Sequence, residues 1–122
     1  MKLRIKGDSL RLRVGPSEVQ RLIASGRVAE TIHFAPGVQL SYVLQHAAAA
    51  ECIAVSHALH EVTVTVPTSV AQAWADGNDV GIYGDIPNGS GSLEVAIEKD
   101  FACLDPSHAG KRDTYPNPKA AC

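Results

Sequence analysis

Over residues 2–14, apolar side chains alternate with polar ones, most of which are lysine or arginine. A period of two is typical of a β-strand that buries one face. Gly7-Asp8-Ser9 interrupts the alternation with residues that favour tight turns. The pattern therefore predicts a β-hairpin with an aliphatic inner face and a cationic outer face.

The next segment changes from a period of two to helical spacing. Pro16 and Gly26 enclose a stretch with apolar residues three and four apart, and a helix commonly has proline near its start and glycine just past its end. We predict a helix over about 17–25. Strands are predicted over 28–35 and, after a turn at Pro36-Gly37, up to about residue 46.

The second part of the chain shows the same sequence of patterns. Alternating apolar residues predict strands on both sides of a turn near residues 58–61. Pro67 then leads into a helix that Gly77 ends, with Trp74 as its core anchor. A strand is predicted over 80–86, and the last strand is predicted to run to about Leu104.

The two helical segments match at an offset of 51, the strands before them at 52 and the final strands at 53. Each half, about 2–46 and 52–104, is thus predicted to be a ββαββ unit of an internal repeat. One such unit cannot close a core, but two can pair edge to edge. The predicted fold is α+β, a small pseudo-twofold β-barrel of two ββαββ units with two short helices.

The 122-residue length fits one domain, which we place at 1–104. The tail, 105–122, has three prolines and no apolar period, so it is predicted to be disordered. Within it, Tyr115-Pro116-Asn117-Pro118 is the segment considered for local docking.

Charge is distributed unevenly along the chain. Residues 1–27 hold seven lysines and arginines against two acidic residues, a net of +5, whereas the rest holds four against eleven, a net of −7. Charge also begins at Lys2, and no apolar run is long enough to span a membrane. We therefore expect a cytoplasmic protein that does not contact membranes, with reduced cysteines.

One resemblance is carried by Val62-Thr63-Val64-Thr65-Val66-Pro67, a short helix, Gly77-Asn78-Asp79-Val80 and a terminal hairpin. These segments resemble the swapped-hairpin transcription-factor domains of the AbrB type, two copies of which normally pair as a dimer. This chain resembles two such copies fused, with the similarity covering residues 62–98 and, more weakly, 10–45.

A second resemblance is carried by residues 2–13, Lys2-Leu3-Arg4-Ile5-Lys6-Gly7-Asp8-Ser9-Leu10-Arg11-Leu12-Arg13, and by Glu98-Lys99-Asp100-Phe101-Ala102-Cys103-Leu104. They are similar to an uncharacterised family of small bacterial proteins, a domain of unknown function. The resemblance implies a bacterial cytoplasmic origin and no particular activity.

Five cations on one strand face are the first candidate site, for anions or nucleic acid: Lys2, Arg4, Lys6, Arg11 and Arg13. The AbrB resemblance implies phosphate contacts from such strands. The corresponding strands of the second half carry Thr63 and Thr65 instead, whereas a symmetric DNA reader needs both halves basic. We therefore favour a solvated face that discourages edge pairing.

Glu98, Asp100 and Cys103 are weaker functional candidates. Glu98 and Asp100 share a strand face and are suited to acid–base work or to holding a cation. Cys103 needs a neighbouring cation or histidine to become nucleophilic, and we favour a buried, inert thiol. The five histidines show no metal-binding spacing, so no metal and no cofactor is predicted.

Function cannot be identified from these patterns. The favoured hypothesis is a non-enzymatic binding or regulatory module for a protein or small ligand, acting as a monomer or weak homodimer. A DNA-binding regulator that uses the basic hairpin is one alternative, and an enzyme that uses Asp100 and Cys103 is another.

Overall fold

The structure, a computed structural model, describes residues 1–101 and Tyr115. Eight strands and two helices follow one another in an order that is the same in each half of the chain. The elements are β1 (Lys2–Lys6), β2 (Ser9–Val14), α1 (Pro16–Ser25), β3 (Arg27–Ala35), β4 (Val38–Ala47), β5 (Ala54–Ala58), β6 (Glu61–Pro67), α2 (Thr68–Asp76), β7 (Gly81–Pro87) and β8 (Ser92–Lys99).

The strands form two four-stranded sheets. Sheet I has the order β1-β2-β8-β7 and sheet II the order β3-β4-β6-β5. In each sheet two antiparallel hairpins meet through a parallel central pair, β2 with β8 and β4 with β6. Each sheet thus joins the leading hairpin of one half (β1–β2 or β5–β6) to the trailing hairpin of the other (β7–β8 or β3–β4).

Helix α1 has a defined start and end. Pro16 occupies its first turn, the Glu18 carboxylate accepts a hydrogen bond from the Gly15 N–H at 3.0 Å, and Gly26 ends it with a φ of 85°. A left-handed residue in that place is most often glycine, because it has no Cβ to clash. These signals explain why the predicted helix and the observed one agree to within one residue.

Helix α2 follows β6 directly and buries Ala71 and Trp74. The Trp74 side chain is 2% exposed, and its indole N–H donates to the backbone oxygen of Val80 at 3.1 Å. A buried tryptophan needs such a partner, because an unsatisfied indole N–H would lose its hydrogen bond to water. Trp74 is therefore a core anchor, as predicted.

The core lies between the inner faces of the sheets and the two helices. Its residues are almost all aliphatic, and each fully buried one contributes roughly 1.5–3 kcal/mol of hydrophobic stabilisation. The cluster consists of Leu10, Leu12, Val14, Val19, Leu22, Val28, Leu44, Val64, Val66, Ala71, Trp74, Ile82, Val95 and Ile97.

The predicted α+β fold with eight strands and two short helices is confirmed. Closure of the two sheets into a barrel and the internal repeat stay predictions. The last strand ends at Lys99 and not near Leu104. Its central neighbour β2 ends opposite Lys99, at Val14, where the chain turns into α1, so no ladder continues.

The predicted disordered tail, 105–122, lies outside the described residues except for Tyr115. The Tyr115 N–H donates to the backbone oxygen of Asp100 at 2.7 Å, and its ring lies 5.7 Å from that of Phe101. Tyr115 itself therefore contacts the residues that follow β8, whereas Pro116, Asn117 and Pro118 lie outside the described residues. No helix in the described part of the chain is long and apolar enough to cross a membrane.

Candidate binding surface

The five predicted cations lie on one face because of the register of β1 and β2. Lys2 pairs with Arg13 and Arg4 pairs with Arg11 across the antiparallel ladder, and Lys6 pairs with Ser9. Directly paired residues share a face, as do residues two apart. We call Lys2, Arg4, Lys6, Arg11 and Arg13 the cationic surface; it forms half of the outer face of sheet I.

Two members of the cationic surface have acidic partners. Nε of Arg11 lies 3.2 Å from a Glu98 carboxylate oxygen, and Nζ of Lys2 lies 2.9 Å from Asp100. Both acids come from the end of β8 or just after it. The second half of the chain therefore neutralises two cations of the first.

The side chains of the other three cations, Arg4, Lys6 and Arg13, are exposed and make no ion pair or hydrogen bond with any described residue. Arg4 and Arg13 also lie opposite other cations in the ladder. Like charges in directly opposite positions destabilise a sheet. On its other side Arg13 has Glu98 beside it in register on β8, although the two side chains do not form an ion pair. The fold thus carries three cations that no ion pair with a described residue neutralises.

Glu98 is shared between two groups. Besides the ion pair with Arg11, its other carboxylate oxygen accepts a hydrogen bond from the Tyr83 hydroxyl at 2.7 Å. Burial and the adjacent Glu98 carboxylate raise the pKa of Tyr83, so this hydroxyl stays protonated and donating at neutral pH. Arg11, Glu98 and Tyr83 therefore form a fixed row across β2, β8 and β7.

The other half of the outer face of sheet I is acidic. Glu94 lies beside Ser9 on one side and beside Asp85 on the other. Between these acids and Arg11 lies a depression of about 410 Å³. It forms over Ala96, whose small side chain leaves room between larger neighbours. The face thus changes from cationic to acidic over the width of four strands.

Of the three weaker candidates, the structure describes Glu98 and Asp100. Glu98 and Asp100 each contact their own cation, Arg11 and Lys2. Each carboxylate is thus held by a different cation. Cys103 lies outside the described residues, so the enzyme hypothesis that uses Asp100 and Cys103 stays a prediction.

A further polar cluster was not predicted from the sequence. The amino group of Met1 contacts the Glu18 carboxylate and lies 2.9 Å from Glu30. The Tyr42 hydroxyl donates to Glu30 at 2.9 Å. These four residues come from the start of the chain, α1, β3 and β4, so only the fold brings them together. The one feature of this cluster that the local sequence indicates is the position of Glu18 in the first turn of α1, where a carboxylate can cap the helix.

The pKa values of this cluster follow from the balance of burial against opposite charge. Burial by itself would lower the pKa of the Met1 amino group, but the contacts with Glu18 and Glu30 outweigh it, so that pKa is raised above 8.0. Burial likewise opposes ionisation of Glu30, yet the Met1 amine and Tyr42 lower its pKa below 4.5. Burial and Glu30 raise the pKa of Tyr42 to about 12. At neutral pH the amine is therefore charged, Glu30 is ionised and Tyr42 is neutral.

The histidines are dispersed in the described part of the chain. His46 Nδ1 lies 2.9 Å from the Thr68 hydroxyl, whereas His57 belongs to β5 and His60 to the turn after it. Among residues 1–101 and 115, no three His, Cys, Asp or Glu side chains come together in a group that could hold a metal ion.

A family model matches residues 1–119 of the chain. The chain belongs to the family of unknown function DUF7009. This confirms the resemblance to an uncharacterised family that residues 2–13 and 98–104 carry, and it assigns no activity. No curated protein and no solved structure matches the chain.

Proposed function

We propose that the chain is a non-enzymatic binding module whose cationic surface takes an anionic segment of a protein partner. The observation that carries the proposal is the set of three exposed cations without acidic partners, Arg4, Lys6 and Arg13. They lie on two adjacent strands, and Arg4 and Arg13 oppose other cations across the β1–β2 ladder, an arrangement that an anionic ligand would relieve.

The size of the cationic surface favours a short ligand. Residues 2 to 6 of one strand span about 13 Å, and two neighbouring strands are about 5 Å apart. A stretch of four or five extended residues with acidic side chains covers such an area. Beyond β2, Glu94 and Asp85 would repel a longer anion that continued across the sheet.

A DNA-binding regulator is the second candidate, and the sheet topology favours it. Each sheet pairs the leading hairpin of one half with the trailing hairpin of the other, as the resemblance to a fused pair of AbrB-type swapped-hairpin domains implies. The internal repeat, closure into a pseudo-twofold barrel and a bacterial cytoplasmic location belong to this proposal. Against it, β5–β6 has no lysine or arginine to match the cationic surface.

Fluorescence anisotropy tests the proposal with two probes at low salt, a labelled peptide of alternating glutamate and serine and a labelled duplex of random sequence. We expect the peptide to bind, and Arg4→Ala/Arg13→Ala to weaken its binding about tenfold or more, since charge-assisted contacts are each worth over 1 kcal/mol. The matched control is Arg21→Ala/Arg27→Ala, which removes the same charge outside the cationic surface and should leave binding within about twofold.

Two results would overturn the proposal. One is peptide affinity that falls equally in both double variants, because it would show a response to net charge alone. The other is duplex binding that is lost in Arg4→Ala/Arg13→Ala while the peptide does not bind; this result would favour the DNA-binding candidate. The salt dependence of duplex binding would then give the number of phosphate contacts.

A further inference from the structure

A groove of about 340 Å³ lies along β7, the edge strand of sheet I that is farthest from β1. The start of α2 and the segment that leads into β5 also line it. Small-molecule sites are mostly apolar concavities of about 300–1,000 Å³, and the groove falls in this range. Its apolar lining consists of Ile53, Pro67, Val70, Ile82, Ile86 and Pro87.

The packing of Gly84 shows how closely this lining is built. Gly84 lies in the middle of β7, and a Cβ at this position would be 2.9 Å from Cδ1 of Ile53. Since Ile53 occupies the space that a side chain would take, it packs directly on the strand. Val70, on the first turn of α2, stays 38% exposed in the same lining. The groove therefore presents aliphatic surface that no described residue covers.

The charges that line the groove are all negative among the described residues. Glu51 and Asp85 are exposed, and neither forms an ion pair or a side-chain hydrogen bond with a described residue. No described lysine, arginine or histidine belongs to the lining. Two carboxylates without a counter-charge beside an apolar surface favour a ligand that joins a cationic group to an apolar body, and they disfavour an anion.

The first half of the chain binds an ammonium group at the corresponding place. Met1 precedes the leading hairpin β1–β2 as Ile53 precedes β5–β6. The amino group of Met1 contacts the carboxylates of Glu18 and Glu30. In the second half the chain continues through Ile53, so no amino group is present there. The groove beside Ile53 has its own two carboxylates and an open apolar wall.

We propose that this groove binds a small organic amine. The ammonium group lies towards Glu51 and Asp85, and the apolar body lies against Ile53, Val70 and Ile82. A ligand with one fused aromatic ring system and a short aminoalkyl chain fits the volume of the groove. The site is separate from the cationic surface, because β8 and β2 lie between β7 and β1. It also takes a ligand of the opposite charge.

Titrations followed by ¹H–¹⁵N correlation spectra at neutral pH test the site with three probes that share an indole ring. Tryptamine carries an ammonium group, indole-3-ethanol a hydroxyl and indole-3-propionate a carboxylate. We expect tryptamine to bind with a dissociation constant of about 1 mM or tighter. Its binding should shift the amide signals of residues 51–53 and 82–86. Indole-3-ethanol should bind at least about fivefold more weakly, and indole-3-propionate should not bind measurably.

Two pairs of variants separate the contribution of charge from that of the apolar wall. Glu51→Gln/Asp85→Asn should weaken tryptamine binding about fivefold and leave indole-3-ethanol binding unchanged. Its matched control, Asp76→Asn/Asp79→Asn, removes the same charge from exposed positions outside the groove. Val70→Trp fills the groove and should weaken binding of both probes about tenfold or more.

The control for Val70→Trp is Val80→Trp, at a valine that is 43% exposed and lies outside the groove. Tryptamine that leaves the groove amides unshifted up to about 10 mM would overturn the proposal. Equal affinity for indole-3-ethanol would also overturn it, because the groove would then select a neutral apolar ligand. A loss of affinity as large in Asp76→Asn/Asp79→Asn would show a response to net charge alone. Acidic-peptide binding is measured separately, so either proposal can fail without the other.

Discussion

The two leading hairpins have the same backbone and different outer faces. The turn between β1 and β2 consists of Gly7 and Asp8, and the turn between β5 and β6 consists of Leu59 and His60, 52 residues later in the chain. The buried residues of both inner faces are aliphatic, whereas Ile5 near the first turn and its counterpart His57 near the second are exposed. The outer face of β1–β2 is the cationic surface, whereas that of β5–β6 carries alanine, serine, threonine and one glutamate.

The difference separates what folding requires from what it leaves open. Core-facing residues must be apolar, so β2 and β6 have aliphatic side chains at corresponding positions, Leu10, Leu12 and Val14 in one and Val62, Val64 and Val66 in the other. Outer-face residues contact water and are free to vary. A concentration of cations on only one of two equivalent faces is not explained by packing, and this is why we propose that the cationic surface binds a partner.

The largest expected effect tests the equivalence of the inner faces. Val14 and Val66 are both fully buried at corresponding positions. We expect Val14→Ala and Val66→Ala each to lower the free energy of unfolding by about 2 kcal/mol, through lost burial and the cavity that remains. Urea denaturation measures both, with the exposed Ser56→Ala as a control that changes stability little. Costs that differ more than about twofold would show that the two inner faces are not equivalent.

A smaller effect is expected at the turns of the same hairpins. Gly7 and Leu59 both have a φ of 54°, a left-handed conformation that is unfavourable for leucine by roughly 1–2 kcal/mol. Leu59 is also 87% exposed, so it gains little from packing. Leu59→Gly should raise the free energy of unfolding by about 0.5–1 kcal/mol, after allowing for the flexibility of glycine in the unfolded chain.

The reciprocal change, Gly7→Leu, should destabilise the chain by about 1 kcal/mol, because it introduces the strain that the second hairpin already has. Thermal unfolding of both variants measures the pair. Equal and opposite shifts of the unfolding temperature in the two variants would show that the two turns have the same backbone strain. Stabilisation by Gly7→Leu would contradict the assignment of strain to these turns.

The smallest effect concerns the residue just before each leading hairpin, which is Met1 before β1 and Ile53 before β5. Ile53 packs against Gly84, whereas the amino group of Met1 contacts Glu18 and Glu30. The raised pKa of the amine stabilises the fold below pH 8.0, and this contribution is lost as the pH rises through the folded pKa. The lowered pKa of Glu30 stabilises it above pH 4.5, and this contribution is lost as the pH falls through the folded pKa.

We therefore expect stability to decline on both sides of this range, by about 1 kcal/mol or less, as for partly exposed ion pairs. A glycine-serine extension before Met1 removes the charged amine from the site and should abolish the alkaline decline. The same extension at the other end of the chain is the control. Tyr42, with a pKa of about 12, does not titrate in this range. An unchanged alkaline decline after extension at Met1 would contradict the assignment.

The fold could be predicted from the sequence wherever the signal is local. Turn residues and alternation located the leading hairpins, and Pro16 with Gly26 located α1. The parallel pairing of β2 with β8 was beyond such reasoning, because it joins strands about eighty residues apart that only the packed core brings together.

The candidate site, like the fold, was predictable from the sequence only where the signal is local. Alternation alone placed the five cations on one face, and the structure brings them together as expected. Which of them have acidic partners depends on tertiary contacts, as in the pairing of Lys2 with Asp100. The contact of the Met1 amine with Glu30 was not foreseen for the same reason.

The most direct test of the central claim exchanges residues between the two outer faces. Isothermal titration with the acidic peptide compares the parent chain, Arg4→Ser/Arg13→Thr, which introduces the residues found at positions 56 and 65, and the reciprocal Ser56→Arg/Thr65→Arg. We predict about tenfold weaker binding in the first variant and a second bound peptide in the other. Unchanged affinity in Arg4→Ser/Arg13→Thr would contradict the claim that the cationic surface is the binding site.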